Sequence, residues 1–259
     1  MNKKLSISLI SLETIIRNEL TRILRIWKQT LLPPIINQSL YFIVFGAFIG
    51  AQIKNINGVS YMAFIIPGLI LMAIINNSFA NVVSSFFGSK FHKNIEELLV
   101  SPTPKWVILA GYSIGGMIRG LFIGIIAWAV SMFFVRQGIH SPSVVILFAI
   151  LTSLLFSLAG FTVGVFAKSF DDISFVPTFI LTPLTYLGGV FYSINDLPQI
   201  WQTISKFNPI VYMIDGFRYG FYGQSDVSLM TSIVIVLLFS LILIMLNLHF
   251  LKIGKGMKS

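Results

Sequence analysis

The sequence predicts an all-α integral membrane protein: an N-terminal amphipathic interfacial helix, six transmembrane helices, and outer re-entrant helices between spans five and six. Three observations predict it. Of 259 residues, 56% are apolar or aromatic and only 10% are charged, against about 25% charged in an average soluble domain. The mean hydropathy is +0.87, and the apolar residues gather in six runs close to the ~20 residues needed to cross a bilayer core of about 30 Å. The lysines and arginines are also divided unevenly between the loops that join those runs.

Residues 9–31 come first. Leu12, Ile15, Ile16, Leu20, Ile23, Leu24, Trp27 and Leu31 recur at helical spacing, while Glu13, Arg17, Thr21, Arg25 and Lys28 fall largely on the other side. This is the pattern of a helix lying in the inner membrane interface, with cations toward anionic headgroups and Trp27 at the level aromatic rings favour. A soluble helix packed on a partner would share it. Pro33-Pro34 is expected to end the helix and redirect the chain into the bilayer. The apolar stretch before Glu13 is short, holds three serines and lacks a small-residue cleavage site. The first span, and not a signal peptide, is therefore expected to direct insertion.

The six spans are 35–53, 61–83, 113–135, 144–167, 175–192 and 229–251. An even count leaves both termini on one side. The N-terminal segment, the loops after spans two and four, and the tail together carry 13 lysines and arginines, whereas the opposite loops carry 4: Lys54, Arg136, Lys206 and Arg218. The richer side is cytoplasmic. The net charge of +9 thus follows from membrane orientation and does not call for nucleic acid.

Two connecting segments are more than turns. The cytoplasmic loop 84–105 holds Lys93, Asn94, Ile95, Glu96, Glu97, Leu98, Leu99 and Val100, closed by Ser101-Pro-Thr-Pro104, where the prolines forbid continuation. A short acidic and apolar helix there could dock into a groove of a soluble partner or simply link spans two and three. On the outer side, span five is short and carries Pro177 and Pro183. It runs through Gly188-Gly189-Val-Phe-Tyr192 to Asn195, Leu197, Pro198, Asn208, Pro209, Tyr212, Asp215 and Arg218. Phe191, Tyr192, Trp201, Phe207, Tyr212, Phe217, Tyr219, Phe221 and Tyr222 are read as an aromatic belt on two short re-entrant helices. Asp215 and Arg218, three apart, could pair on one helix face.

Several chemistries are excluded. The chain has no cysteine, hence no disulfide or thiolate site. It has no Gly-x-x-x-x-Gly-Lys-Ser/Thr phosphate cradle, so it cannot hydrolyse ATP alone. All nine acids lie in loops, termini or the interfacial helix, which disfavours a proton-coupled carrier. His92, His140 and His249 are dispersed, and no metal site or catalytic residue is expected. Arg119 is the one charge within a span. Counted inward from Val135 at about 1.5 Å per residue, it falls within about 6 Å of the inner edge of the core. It could snorkel to the surface, or line a cytoplasmic vestibule that attracts an anionic cargo such as a lipid phosphate. The pairs Gly46/Gly50 and Gly160/Gly164 and the series Gly116, Gly120, Gly124 permit close helix approach, within one subunit or between two.

With these residues in place, the chain resembles the type-two family of ABC-transporter membrane subunits, permeases of ATP-driven exporters of drugs, lipids and polysaccharides. The most specific likeness runs from Pro183-Leu-Thr-Tyr-Leu-Gly-Gly-Val-Phe-Tyr192 through Leu197-Pro198 and Asn208-Pro209-Ile-Val-Tyr212 to Asp215-Gly-Phe-Arg218; Glu96-Glu-Leu-Leu-Val-Ser-Pro102 is similar to the family's coupling helix. The resemblance implies one permease domain over 1–259, with the six-span bundle at 35–251, forming a homodimer around an export path in a bacterial inner membrane. Spans one and five would meet in the dimer. It makes Lys93 to Val100 the contact for a separate ATPase present in two copies. It makes Tyr192, Leu197, Pro198, Asn208, Pro209, Tyr212, Asp215 and Arg218 part of an outer gate. Arg119 is a candidate cargo contact. No cofactor would bind this chain, since ATP and Mg belong to the ATPase; membrane lipids would surround it, and no nucleic acid would. A self-sufficient channel or carrier, or a membrane assembly scaffold, is the alternative.

Overall fold

Most of each apolar run folds as helix among the described residues, and capping residues mark several of the helix starts. The computed structural model describes residues 3–50, 56, 58–136 and 138–254. Its helices are α1 (Lys3–Arg25), α2 (Trp27–Tyr41) continuing as a π-helical stretch (Phe42–Ile49), α3 (Tyr61–Phe91), α4 (Asn94–Val100), α5 (Lys105–Ser131), α6 (Pro142–Phe166), α7 (Phe170–Val176), α8 (Thr182–Tyr186), α9 (Gln199–Ser205), α10 (Pro209–Tyr222) and α11 (Leu229–Ile253). Among the described residues there is no strand, only an isolated bridge between Ile56 and Val59. Lys54, Lys255 and Lys258, used above for orientation, and the end of the first predicted span lie outside the described residues.

Serine and proline open the long helices. The Ser60 hydroxyl accepts from the Ala63 amide at 3.4 Å and Ser228 from the Thr231 amide at 3.3 Å. Pro142 supplies a first helical residue that needs no amide donor. Four helices, α3, α5, α6 and α11, are each long and apolar enough to cross a membrane. The predicted spans 35–53 and 175–192 are composite. The first is α2 with its π-helical stretch; the second is α7, a π-helical stretch (Pro177–Leu181) and α8. Pro177 and Pro183 each remove a backbone donor, and the wider register lets the Thr182 hydroxyl cap the Pro177 carbonyl at 2.9 Å.

The chain turns earlier than expected at its N-terminus. The helix predicted over 9–31 breaks at Ile26 (φ −104°, ψ 30°), and Pro33 and Pro34 lie inside α2 instead of ending a helix. Proline is tolerated within membrane helices where neighbouring groups satisfy the freed carbonyls. Only one side of α1 is buried: Ile15 and Ile23 pack inward with Ser8 and Glu19, while Leu9, Ile10 and Leu24 stay exposed, as does Trp27 at the start of α2.

α3 runs through the middle of the bundle, flanked by α5 and α6, with α10 closing one end and α4 the other. Glycines allow this packing. A Cβ on Gly120 would strike the Ser78 side chain, and one on Gly160 would sit 2.6 Å from the Phe79 carbonyl oxygen, so both contacts serve packing within this subunit. The core divides into two clusters, one around α3, α6 and α10 and a second where α1, α4, α5, α6 and α11 meet. Polar pins join the helices. Lys90 Nζ donates to the Val165 and Ala167 carbonyls at 2.9 and 2.8 Å, capping the end of α6. Asn247, fully buried, donates to the Leu158 carbonyl at 3.0 Å and accepts from the Thr162 hydroxyl at 2.9 Å. Replacing Asn247 with Leu is expected to cost about 1 kcal/mol, as interhelical bonds in membranes do, measurable as a lower unfolding midpoint of the solubilised chain.

The outer surface of the bundle is apolar. Leu237, Leu238, Leu241, Ile242 and Met245 on α11, Ile125 on α5 and Ile146 on α6 are all exposed. An exposed apolar surface of this extent is that of a protein solvated by lipid.

Candidate functional site

Polar groups collect at three places in this apolar molecule. The first is α4. Lys93 precedes it with φ 61°, the sole non-glycine positive φ among the described residues, so the helix starts at Asn94, one residue later than predicted. Ile95, 1% exposed, anchors it in the second core cluster beside Val107 and Ile108. Glu96 and Glu97 are exposed, Leu98 and Leu99 half-buried, and Val100 is 88% exposed. After the helix, the Ser101 hydroxyl donates to the Leu98 carbonyl at 2.7 Å, and Thr103 Oγ1 donates to Ser11 of α1 at 3.1 Å. The result is a short helix fixed to the bundle on one side and presenting two carboxylates and an apolar tip on the other.

The second place is a polar stripe along α3, where Asn77, Asn81 and Ser85 follow at four-residue steps and so share one face. The stripe meets Glu19 of α1. The Glu19 carboxylate, predicted to lie at the interface, is instead inside: the residue is 4% exposed and accepts from Arg22 at 3.0 Å, from Asn81 Nδ2 at 3.0 Å and from the Ser85 hydroxyl. Arg22 also reaches the Asn81 side-chain oxygen at 2.7 Å. This is the sole salt bridge among the described residues. Toward α4 lies a cavity of about 650 Å³ bordered by Arg22, Arg25, Ser85, His92 and Tyr112. In the other direction along α3 lies one of about 280 Å³, bordered by Gln38, Asn76, Asn77 and Arg119. Because α5 begins at Lys105, eight residues before the predicted span edge, Arg119 sits near the middle of its helix and not near an end. Its side chain borders the space shared with α2 and α3.

The third place is the α10 end, and here the predicted gate residues hold the segment's own geometry. Asn208 caps α10, accepting from the Ile210 amide at 3.0 Å while donating to the Leu184 carbonyl at 2.7 Å. Pro209 opens the helix and the Tyr212 hydroxyl reaches the Lys206 carbonyl at 2.8 Å. Pro198 caps α9, the Leu197 carbonyl accepts from Gln202 at 2.8 Å, and Tyr192 is half-buried. Asp215 and Arg218 do not make the contact pair expected of them, because each faces a different neighbour. Asp215 accepts from the Asp226 and Val227 amides at 2.8 and 3.0 Å. Arg218 donates to the Gly189 carbonyl at 2.7 Å and stacks 3.9 Å from the centre of the Phe64 ring. Gly189 has φ +82°, a conformation glycine adopts freely and which turns its carbonyl to the arginine. The aromatic belt also divides: Tyr212, Phe217 and Phe221 are buried in the bundle, while Trp201 and Phe207 are exposed.

Sequence reasoning missed two of these features. One is the Glu19, Arg22, Asn81 and Ser85 network, signalled by the four-residue recurrence of polar residues in an apolar span. The other is Asp226, which accepts from the Ser193 hydroxyl at 2.8 Å and from Asn195 at 2.9 Å, tying the segment after α8 to the start of α11. Among the described residues no group of His, Asp or Glu could hold a metal. At the exposed start of α7, the Lys168 and Ser169 amides hold the Asp172 carboxyl below the usual carboxylate range, as in a capping box.

The sequence is similar to known membrane proteins along most of its length. The chain is 55% identical over 250 residues to the inner membrane transport permease YadH of Escherichia coli (strain K12), covering 96% of this chain and 98% of that protein. It is 26% identical over 207 residues to nodulation protein J of Rhizobium leguminosarum bv. viciae, covering 76% and 78%, and 24% identical over 205 residues to nodulation protein J of Rhizobium meliloti (strain 1021), covering 74% and 75%. The family model described as ABC-2 type transporter matches residues 11–222. A family match over most of the chain and 55% identity to a membrane permease along nearly its whole length place it: the protein belongs to the ABC-2 type transporter family of membrane permeases.

Proposed function

We propose that this chain is the membrane half of an ATP-driven exporter that moves an amphipathic drug, lipid or glycan out of the cell. Two copies pair in a bacterial inner membrane, each crossing it six times with both termini in the cytoplasm, and a separate ATPase docks on each copy. The observation that carries this reading is α4. Its apolar root is seated in the bundle through Ile95, while Glu96, Glu97 and Val100 stand clear of it, the form of a short helix that inserts in a groove. Closure of the ATPases on ATP would push α4, and the push would pass to α1 through the Thr103 and Ser11 contact and to α5 across the turn at Pro104. At the other end, α9 and α10 would re-enter the outer leaflet and control release. The permease itself holds no nucleotide; ATP and Mg act on its partner.

Purification of the tagged chain from its native membrane in mild detergent tests this. A nucleotide-binding subunit is expected to co-purify, and Glu96→Lys with Glu97→Lys is expected to reduce its recovery at least tenfold while leaving the permease folded. Isolation of the wild-type chain alone, under conditions that preserve other transporter complexes, would overturn the reading.

A further inference from the structure

Arg119 brings a charge into the bundle that its surroundings do not neutralise. It makes no hydrogen bond to any described residue and its Nε is buried without a partner. The cavity it borders is otherwise lined by amides, prolines, apolar side chains and one tyrosine, with no acid. Glu19 is within electrostatic reach, but its carboxylate is already engaged by Arg22, Asn81 and Ser85. Gln38 borders the same cavity, is 4% exposed, and has its Nε2 buried and unpartnered. Arg119 Nε and Gln38 Nε2, on facing helices, are therefore two buried donors without a partner around one space, and buried donors require one.

We infer that the cavity between α2, α3 and α5 binds the anionic headgroup, phosphate or carboxylate, of an amphiphile, with Arg119 as the charge partner and Gln38 as an orienting donor. The guanidinium fork matches either oxyanion. Asn76 adds an amide on the α3 side, and Asn77 a second, one of whose two N–H groups goes to the Ala73 carbonyl at 2.9 Å. Met72 and Ala73 border the same space, so an apolar tail can continue from the headgroup along the bundle. As a cargo site this rests on the export reading above. As an anion site it rests on Arg119 and Gln38.

The test uses the purified full-length chain in detergent, without an ATPase, and a fluorescent phosphatidate beside the diacylglycerol of the same chains. Phosphatidate is expected to bind at least tenfold more tightly, as a charge-assisted bidentate contact allows. Arg119→Gln is expected to remove the preference and Arg119→Lys to keep part of it. Ala80→Leu, which retains the charge and fills the cavity from α3, is expected to remove it too, so the test stands even if one variant fails to fold. Competition separates the sources. Displacement by short-chain phosphatidate alone supports a lipid headgroup, and displacement by inorganic phosphate as well supports a site for phosphate itself. Equal binding of the two lipids to the wild type, or a preference that survives both Arg119→Gln and Ala80→Leu, would overturn the inference while leaving the export reading intact. Failure of an ATPase to co-purify would do the reverse.

Discussion

Glu19→Ala is expected to destabilise the solubilised chain by about 3 kcal/mol, the low end of the range for stripping a buried charge of its partner. The carboxylate is the acceptor on which Arg22, Asn81 and Ser85 converge, and Asn81 has no contact with solvent. Removing it leaves the Asn81 amide and the Ser85 hydroxyl without their acceptor and Arg22 without its counter-charge, held only by the Asn81 oxygens, and leaving donors unsatisfied costs more than the original bonds contributed. The low end applies because the Arg22 side chain remains 29% exposed and can recover some water. Equilibrium unfolding in mixed micelles reads the loss. Adding Arg22→Met should return part of the stability, so that the double variant is less destabilised than the sum of the two single ones. A Glu19→Ala chain that unfolds with the wild type would show that the network contributes nothing to stability.

Gly160→Leu should have a comparable effect by a different route. The added Cβ would lie 2.6 Å from the Phe79 carbonyl oxygen and 3.3 Å from the Phe79 Cα. These are backbone atoms of α3, which cannot swing aside as a side chain can. The helices must separate, at a cost of about 3 kcal/mol or more, the upper range for overpacking. Little folded protein should be recovered after solubilisation and size-exclusion chromatography. Gly88→Ala is the control on α3: a Cβ there meets nothing within 4 Å, so better helix propensity should raise stability by about 0.5–1 kcal/mol. If Gly160→Leu behaved like Gly88→Ala, the close approach of α3 and α6 would be wrong.

Much of the architecture was legible because it depends on local chemistry. The apolar runs and the Ser101-Pro-Thr-Pro104 stop each act within a few residues, and α4, α6, α11 and the start of α3 fall close to where these signals put them. The proline pair at 33–34 misled for the converse reason. Proline is a strong breaker when the freed carbonyl has only water or lipid beside it, and a weak one when other groups of the fold can satisfy it. The Asp215 and Arg218 pair misled in a similar way. Their spacing permits a contact, but Gly189, Asp226 and Val227 come from distant parts of the chain and take both side chains first.

By itself the sequence determined the class of the protein, the location of its apolar runs, and the short acidic helix between two of them. Each of these follows from composition or from spacing along one helix. Only the tertiary structure decided which polar side chains face inward: that Glu19 enters the bundle, that Arg119 borders a cavity near the middle of α5, and that the aromatic residues of α10 are core. The physical reason is the solvent. In water a helix shows its inner side by its apolar stripe, but a helix in lipid is apolar on both sides, so the inward face becomes visible only when the neighbouring helices are in place.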